Sequence, residues 1–221
     1  MTLLFKKLQT KNLHVHHVCE VGVYLPQTSN VLDFIKNGVK ATLVEADPEV
    51  AKQVETYFSE YSVCVIPCAV WDKAGTLTLS RAASSTFATE LQQSPALVND
   101  KYIINNANTF EVECKLFSDI DDGTIDILSI DIEGGEWFVL KHMVSTPKII
   151  SIETHGKFYK NPYIKEIQNW LLEHQYQEWY KDKSDTVYVH IGVFDVSIYD
   201  RINVLLQNIQ LSMLQLKRMF R

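Results

Sequence analysis

The chain has little glycine and little cysteine: eight of the first and four of the second in 221 residues. Glycine at about half its usual share of ~7% excludes a collagen-like or low-complexity chain. Four cysteines are too few for a disulfide scaffold of this length. Cys19, Cys64, Cys68 and Cys114 all sit in apolar, strand-like surroundings, so reduced and buried thiols are expected, in an intracellular, cytoplasmic setting. Cys64 and Cys68 have no second Cys or His pair at zinc spacing, and no zinc site is read there. No apolar run of about 18 residues occurs, so no transmembrane segment is expected. The opening MTLLFKKLQTKNL lacks the apolar stretch and cleavage site of a signal peptide. Positive charge is also short. Against 27 Asp and Glu stand 21 Lys and Arg, a net charge of −6, which speaks against a nucleic-acid partner.

What remains, 46% hydrophobic and 22% charged, is the composition of an ordinary globular domain with a core large enough to need no staples. Apolar runs at 17–21, 41–45, 63–66, 125–132 and 149–153 alternate with helix-like segments. That alternation predicts an α/β fold, a mostly parallel sheet with helices on both faces. Thr28 or Ser29 is expected to cap a helix carrying Val31, Leu32, Phe34 and Ile35, which Gly38 ends. Asp47-Pro48 opens the next helix. A strand turned at Gly75 and a second over 110–117 flank a polar stretch, 82–109, which reads as an insertion over a site with a short helix near 91–98. A helix follows Gly134-Gly135 and another spans 162–174; two last strands cover 176–180 and 186–191.

The chain thus divides into a domain at 1–195 and a tail at 196–221. Ile198, Ile202, Leu205, Ile209, Met213, Leu216 and Phe220 recur three or four apart in the tail, one amphipathic stripe. It packs on the domain, pairs with a second copy as a homodimer, or lies on a membrane, the last an option kept by the basic end 217–221.

In open α/β sheets ligands sit beyond the carboxyl ends of the strands. The apolar runs here end in Glu20-Val21-Gly22, Glu45-Ala46-Asp47, Asp131-Ile132-Glu133 and Glu153-Thr154-His155. Gly22 and Glu45 are 23 residues apart with a helix between, the arrangement in which a glycine admits a nucleoside and an acid accepts its ribose hydroxyls. The fingerprint G-x-G-x-x-G is missing, since Val23, Tyr24, Leu25, Pro26 and Gln27 follow Gly22. A nucleoside without phosphates is therefore favoured over NAD. S-adenosylmethionine is the common one, and its cationic sulfonium suits Glu20.

The segments CEVGVYLPQTSNVL, TLVEADPE, AVWDKAGTLTL, DILSIDIEGGEWFVL and IISIETHG, in this order and spacing, resemble the FkbM-type methyltransferases over residues 16–191. The block DIxxIDIEGxExxVL carries most of the likeness; in the first motif Glu20, Tyr24 and Pro26 depart from the family's Asp, Asn and second Gly. The resemblance implies a Rossmann-like class I methyltransferase fold and an S-adenosylmethionine-dependent O-methyltransferase acting on a sugar hydroxyl of a glycan or glycoconjugate. By it, Glu20, Gly22, Tyr24, Glu45, Ala46 and Asp47 would hold the cofactor, and Cys68, Ala69 and Val70 would lie against adenine. Asp131 and Glu133 would face the methyl group and the acceptor.

Transfer to an alcohol needs in-line alignment and a base for the hydroxyl proton. His155 is the first candidate base and Asp131 the second. Phe158 and Tyr159, in the loop after His155, are candidates to stack on a sugar, with Glu153 beside them. A competing use of Asp131, Glu133, Glu153 and His155 is to bind magnesium or manganese, the less favoured reading. Glu133 and Glu136 also suit the start of a helix. A non-catalytic scaffold subunit with the same fold is the alternative from another class.

Overall fold

The computed structural model describes residues 1–82, 85–156 and 158–219, those at 215–219 by backbone alone. The side chains of Leu216, Phe220 and the basic end, which belong to the tail stripe, lie outside the described residues. Helix α1 (Leu3–Leu8) leads into β1 (His17–Val21), followed by α2 (Leu32–Lys36), β2 (Lys40–Val44), α3 (Pro48–Tyr57) and β3 (Val63–Ile66). Short strands come next: β4 (Ala69–Val70), β5 (Gly75–Ala82), β6 (Ser85–Ala88) and, after α4 (Pro95–Asn99), β7 (Thr109–Lys115). The chain continues through β8 (Ile127–Ile130), α5 (Glu136–Lys141), β9 (Ile149–Glu153), α6 (Ile164–Glu173), β10 (Tyr176–Lys181), β11 (Asp185–His190) and α7 (Ile198–Met219).

Seven strands form one sheet in the order β3-β2-β1-β8-β9-β11-β10. Only β11 runs against its neighbours. Strands β1, β8 and β9 are buried at every position, which is why their sequences read as unbroken apolar runs. Alternation sorts their side chains to two faces. Val18, Ile127, Ile149 and Val187 pack with Leu4 of α1, Phe34 of α2 and Val54 of α3. Cys19, Leu128, Ile150 and Tyr188 pack with Val139 of α5 and Ile167 of α6. This is the class I methyltransferase architecture, with β1 at the point where the strand order reverses.

A smaller sheet, β4-β7-β5-β6, stands over the carboxyl edge of the first. Leu77, Leu79 and Val112 anchor it on Trp71 and on Phe138 of α5.

Several expectations shift. Ser29 does not cap α2, which starts at Leu32; its hydroxyl donates instead to the buried Glu20 carboxyl. The helix expected near 91–98 is the single turn-and-a-half of α4, capped by Ser94. Strand β6 and helix α1 had no sequence signal, being too short for periodicity. Cys64 is exposed rather than buried, because β3 is an edge strand. Along α7, Val204 is buried and Gln207 and Asn208 bond to Lys181 and Glu178 of β10. Ile198, Ile202, Leu205, Ile209 and Met213 stay exposed. Among the described residues no helix is long and apolar enough to cross a membrane.

At Gly22, φ is +89° and a Cβ would lie 1.8 Å from the Asp131 carbonyl oxygen. The glycine is thus demanded by the approach of the β1 and β8 tips. Gly22→Ala is expected to cost about 3 kcal/mol or more, since a backbone must move. Gly38→Ala, also at positive φ but in open space, should cost about 1 kcal/mol. Urea denaturation of the two variants compares them; equal midpoints would remove the distinction.

Candidate active site

Parallel strands end together, so the tips of β1, β2 and β8 and the β3–β4 link enclose a cavity of about 750 Å³. That size is typical of small-molecule sites, ~300–1,000 Å³. Its floor is the loop from Glu20 to Leu25, and Leu77, Leu79 and Phe87 of the smaller sheet close it from above. Cys68, Ala69 and Val70 make one apolar wall, while Asp131 and Glu133 stand across from the β2 tip. The turn Asp182–Asp185 between β10 and β11 completes the rim.

Glu45 is buried at the end of β2. One carboxylate oxygen accepts the Val23 N–H at 2.9 Å and the other the Asp47 N–H at 2.7 Å. A single side chain thus ties the loop after β1 to the tip of β2, and each oxygen keeps capacity for a further donor. Burial pushes this carboxyl up to about 7, against the pull of those amides.

Register builds a second polar feature. Glu20 pairs across to Ser129, and Ser129 to Ser151, which lines three polar groups across β1, β8 and β9. Asn30 bridges them: its N–H donates to Glu20 at 2.9 Å, and its side-chain amide donates to Ser129 at 3.0 Å and Asp185 at 3.3 Å. Ser151 donates to the same Asp185 oxygen at 3.0 Å. Burial, with a lesser push from Asp185, raises Glu20 to about 7.

Around the β8 tip lies a third group. Glu133 adopts a left-handed backbone, φ +59°, and Gly134 follows at +114°. The turn is held by Glu136, whose Oε1 accepts the N–H groups of Ile132 and Gly134, both at 3.0 Å. Asn161 donates to its other oxygen. One oxygen each from Asp131, Glu136 and Glu153 lie within 4.8 Å of one another. Burial first, then mutual repulsion, pushes Asp131 and Glu153 well above the ordinary carboxylate range.

Of the residues singled out in the sequence, Glu20, Gly22, Tyr24, Glu45, Ala46, Cys68, Ala69, Val70, Asp131 and Glu133 all line the cavity. Asp47 does not. It caps α3 by accepting the Glu49 N–H at 3.0 Å and pairs with Arg81 at 2.7 Å, so its carboxylate is occupied by structure. His155 is also off the cavity: its ring is buried against Thr154 Oγ1 at 2.9 Å, and its N–H donates to the Ser184 carbonyl. Burial, then Lys181, lowers its pKa. Glu153, Phe158 and Tyr159 are not on the cavity wall, and the Phe158 N–H donates to Asn99 at the end of α4. Tyr159 is fully buried and cannot stack on a ligand. The grouping of Asp131, Glu133, Glu153 and His155 is likewise revised, with Glu136 in place of Glu133 and His155.

Sequence reading missed Asn30, Asp185 and Asn161. Asp185 could have been found by pairing the last two predicted strands with 149–153, which sets it opposite Glu153. Asn30 and Asn161 act from loops, where no periodicity points.

Glu20 holds a proton in the folded chain between about 4.5 and about 7 that an unfolded chain would release. Its contribution to stability is complete below the lower value and is lost as pH rises through the upper. Glu20→Gln, neutral throughout, should therefore gain on the parent between pH 5 and pH 8, by up to about 3 kcal/mol. Denaturant titrations at both values test this; parallel losses would contradict it.

A family model, the methyltransferase FkbM domain, matches residues 20–178. No curated protein matches the chain in sequence. Among solved structures, a mutant of MtNAS in complex with S-adenosylmethionine has 12% identity and a TM-score of 0.44, over 85% of this chain and 60% of that one. The chain therefore spans under two thirds of that protein. Precorrin-6y C5,15-methyltransferase from Geobacter metallireducens GS-15 has 13% identity and a TM-score of 0.39, over 84% and 83%. The methyltransferase domain of bacterial CtHen1 has 10% and 0.43, over 84% and 94%. These likenesses are distant; the strand order and the family match carry the assignment.

Proposed function

The chain belongs to the FkbM methyltransferase family, and on that premise we propose that it is an O-methyltransferase that moves the methyl group of S-adenosylmethionine to a sugar hydroxyl of a glycan or glycoconjugate. The observation that carries the donor's placement is Glu45, a carboxylate at the β2 tip with acceptor capacity left on both oxygens and facing the cavity. The residues present fit such a donor. Glu45 would accept the ribose hydroxyls, Cys68, Ala69 and Val70 offer an apolar wall for adenine, and Glu20 and Asp131 supply negative charge for a cationic ligand.

When bound, S-adenosylmethionine supplies an electrophilic methyl carbon. The chain's part is to align an acceptor oxygen opposite the sulfur and to take the hydroxyl proton. Asp131 is the residue we assign as base. It lines the cavity, its side chain accepts no hydrogen bond among the described residues, and burial with its acidic neighbours raises its affinity for a proton, as a proton acceptor requires. Glu133, on the same wall, would orient the acceptor. His155, off the cavity, is given no part in proton transfer. The carbohydrate acceptor rests on the family resemblance alone. The four free thiols, one exposed, fit a reducing compartment such as the cytoplasm. For the exposed row on α7 we retain the homodimer reading, which a monomeric mass in sedimentation would remove.

Two variants separate binding from chemistry. Glu45→Ala should weaken S-adenosylhomocysteine binding ~10–100-fold, the value of hydrogen bonds to a charged group. Asp131→Asn should keep that affinity within about threefold and lower turnover by ~10²–10⁴. Calorimetry measures the first; mass spectrometry of sugar acceptors gaining one methyl measures the second. Full activity in Asp131→Asn would reject the base, and no stabilisation of the chain by S-adenosylhomocysteine would reject the donor site.

A further inference from the structure

We propose that Asp131, Glu136 and Glu153 hold a divalent, oxygen-preferring cation at the tips of β8 and β9, beside the cavity and reached through it. The inference goes beyond methyl transfer and does not depend on it.

Geometry comes first. One oxygen from each of the three carboxylates lies within 4.8 Å of the other two. Ligands on opposite sides of a magnesium ion stand about 4.2 Å apart and of a calcium ion about 4.8 Å, twice the ordinary metal–oxygen distances. The three oxygens already have the separation of one coordination shell. Fold topology enforces it: Asp131 follows β8, Glu153 ends the adjacent β9, and Glu136 is fixed between them by the Ile132 and Gly134 N–H groups and by Asn161.

Charge is the second line. The charged groups that bear most on Asp131 and Glu153 are other acids, Asp185, Glu133 and Glu136 among them. No lysine or arginine of the described residues balances the cluster. Buried carboxylates without a partner are costly, and they are ordinarily paired or bound to metal.

Unpartnered atoms are the third, independent line. Glu153 is 8% exposed, and its Oε2 has no hydrogen-bond partner among the described residues. The hydroxyl of Tyr159, fully buried, has none either. That hydroxyl lies 3.4 Å from where a Gly134 Cβ would stand, in the turn that Glu136 holds, and the acids that bear most on it are Glu136, Glu153, Glu133 and Asp131. Buried polar groups left unpaired are rare and point to an ion or water beside them. A cation with its own water would satisfy both atoms.

The donor set decides the class of ion. Three carboxylates with no cysteine or histidine suit magnesium, manganese or calcium rather than zinc or copper. Asp131 reaches the cavity wall and provides the way in.

Manganese serves as the probe. The full chain, stripped with chelator and free of any methyl donor, is titrated with Mn²⁺ and followed by electron paramagnetic resonance. One ion per chain with submillimolar affinity is expected, displaced by excess Mg²⁺ or Ca²⁺. Glu153→Gln and, separately, Asp131→Asn should each weaken binding at least ~10-fold, one lost charged ligand. Asp131→Asn guards against a folding defect, because no protein hydrogen bond to that side chain is lost. The exposed Glu60→Gln should bind as the parent does. No bound manganese, or equal binding by all four proteins, overturns the proposal. Stabilisation by S-adenosylhomocysteine, measured on the same samples, stands apart: its presence without manganese binding removes the cation and keeps the donor site, and the converse keeps the cation and removes the donor site.

Discussion

Carboxylates buried at strand tips, and held there by backbone N–H groups rather than by lysine or arginine, shape this molecule. Glu45 takes the amides of Val23 and Asp47, Glu136 those of Ile132 and Gly134, and Glu20 that of Asn30. Each pairing does two things. It fixes a loop whose path would otherwise be open, and it leaves an acid with raised proton affinity facing the place where strand order reverses. Without Glu45 the loop after β1 loses its tie at Val23 and keeps the Gly22 N–H bond to the Val44 carbonyl, 2.9 Å. Without Glu136 the Ile132 and Gly134 N–H groups on either side of the left-handed Glu133 lose their acceptor. The floor and one wall of the cavity therefore depend on groups that are individually unfavourable to bury.

Sequence made the sheet readable for a physical reason. Strands buried on both faces must be apolar throughout, so β1, β8 and β9 stand out as runs, and the acids that follow them stand out as interruptions. Glu20, Gly22, Glu45, Ala46, Asp131 and Glu133 on the cavity wall were legible in this way, while Tyr24, Cys68, Ala69 and Val70 came from the family resemblance. His155 misled because position at a strand end does not fix direction: the chain turns after Glu153, and the imidazole is folded back against Thr154. Asp47 misled because a helix cap and a ribose ligand have the same sequence appearance, an acid just past a strand. Asn30 and Asn161 were illegible for another reason. Their roles come from contacts between segments 99 to 155 residues apart for Asn30, and 25 apart for Asn161 and Glu136.

The polar row across the main sheet shows how register turns into function. Glu20, Ser129 and Ser151 occupy matching positions on three adjacent strands, on the face otherwise filled by Val18, Ile127 and Ile149. A slip of one residue in any of these strands would carry its polar member to the opposite, apolar face. The strands are thus specified by what they must not bury as well as by what they must.

Arg81 has a consequence for how the molecule breathes. It rises from β5 in the smaller sheet, lies 4.8 Å from the ring centre of Phe110, and clasps Asp47 at the head of α3. The upper sheet is therefore tied to the head of α3 by an ion pair, in addition to its apolar anchor on Trp71 and Phe138. Loss of that clasp would leave the roof of the cavity held by apolar contact with Trp71 and Phe138.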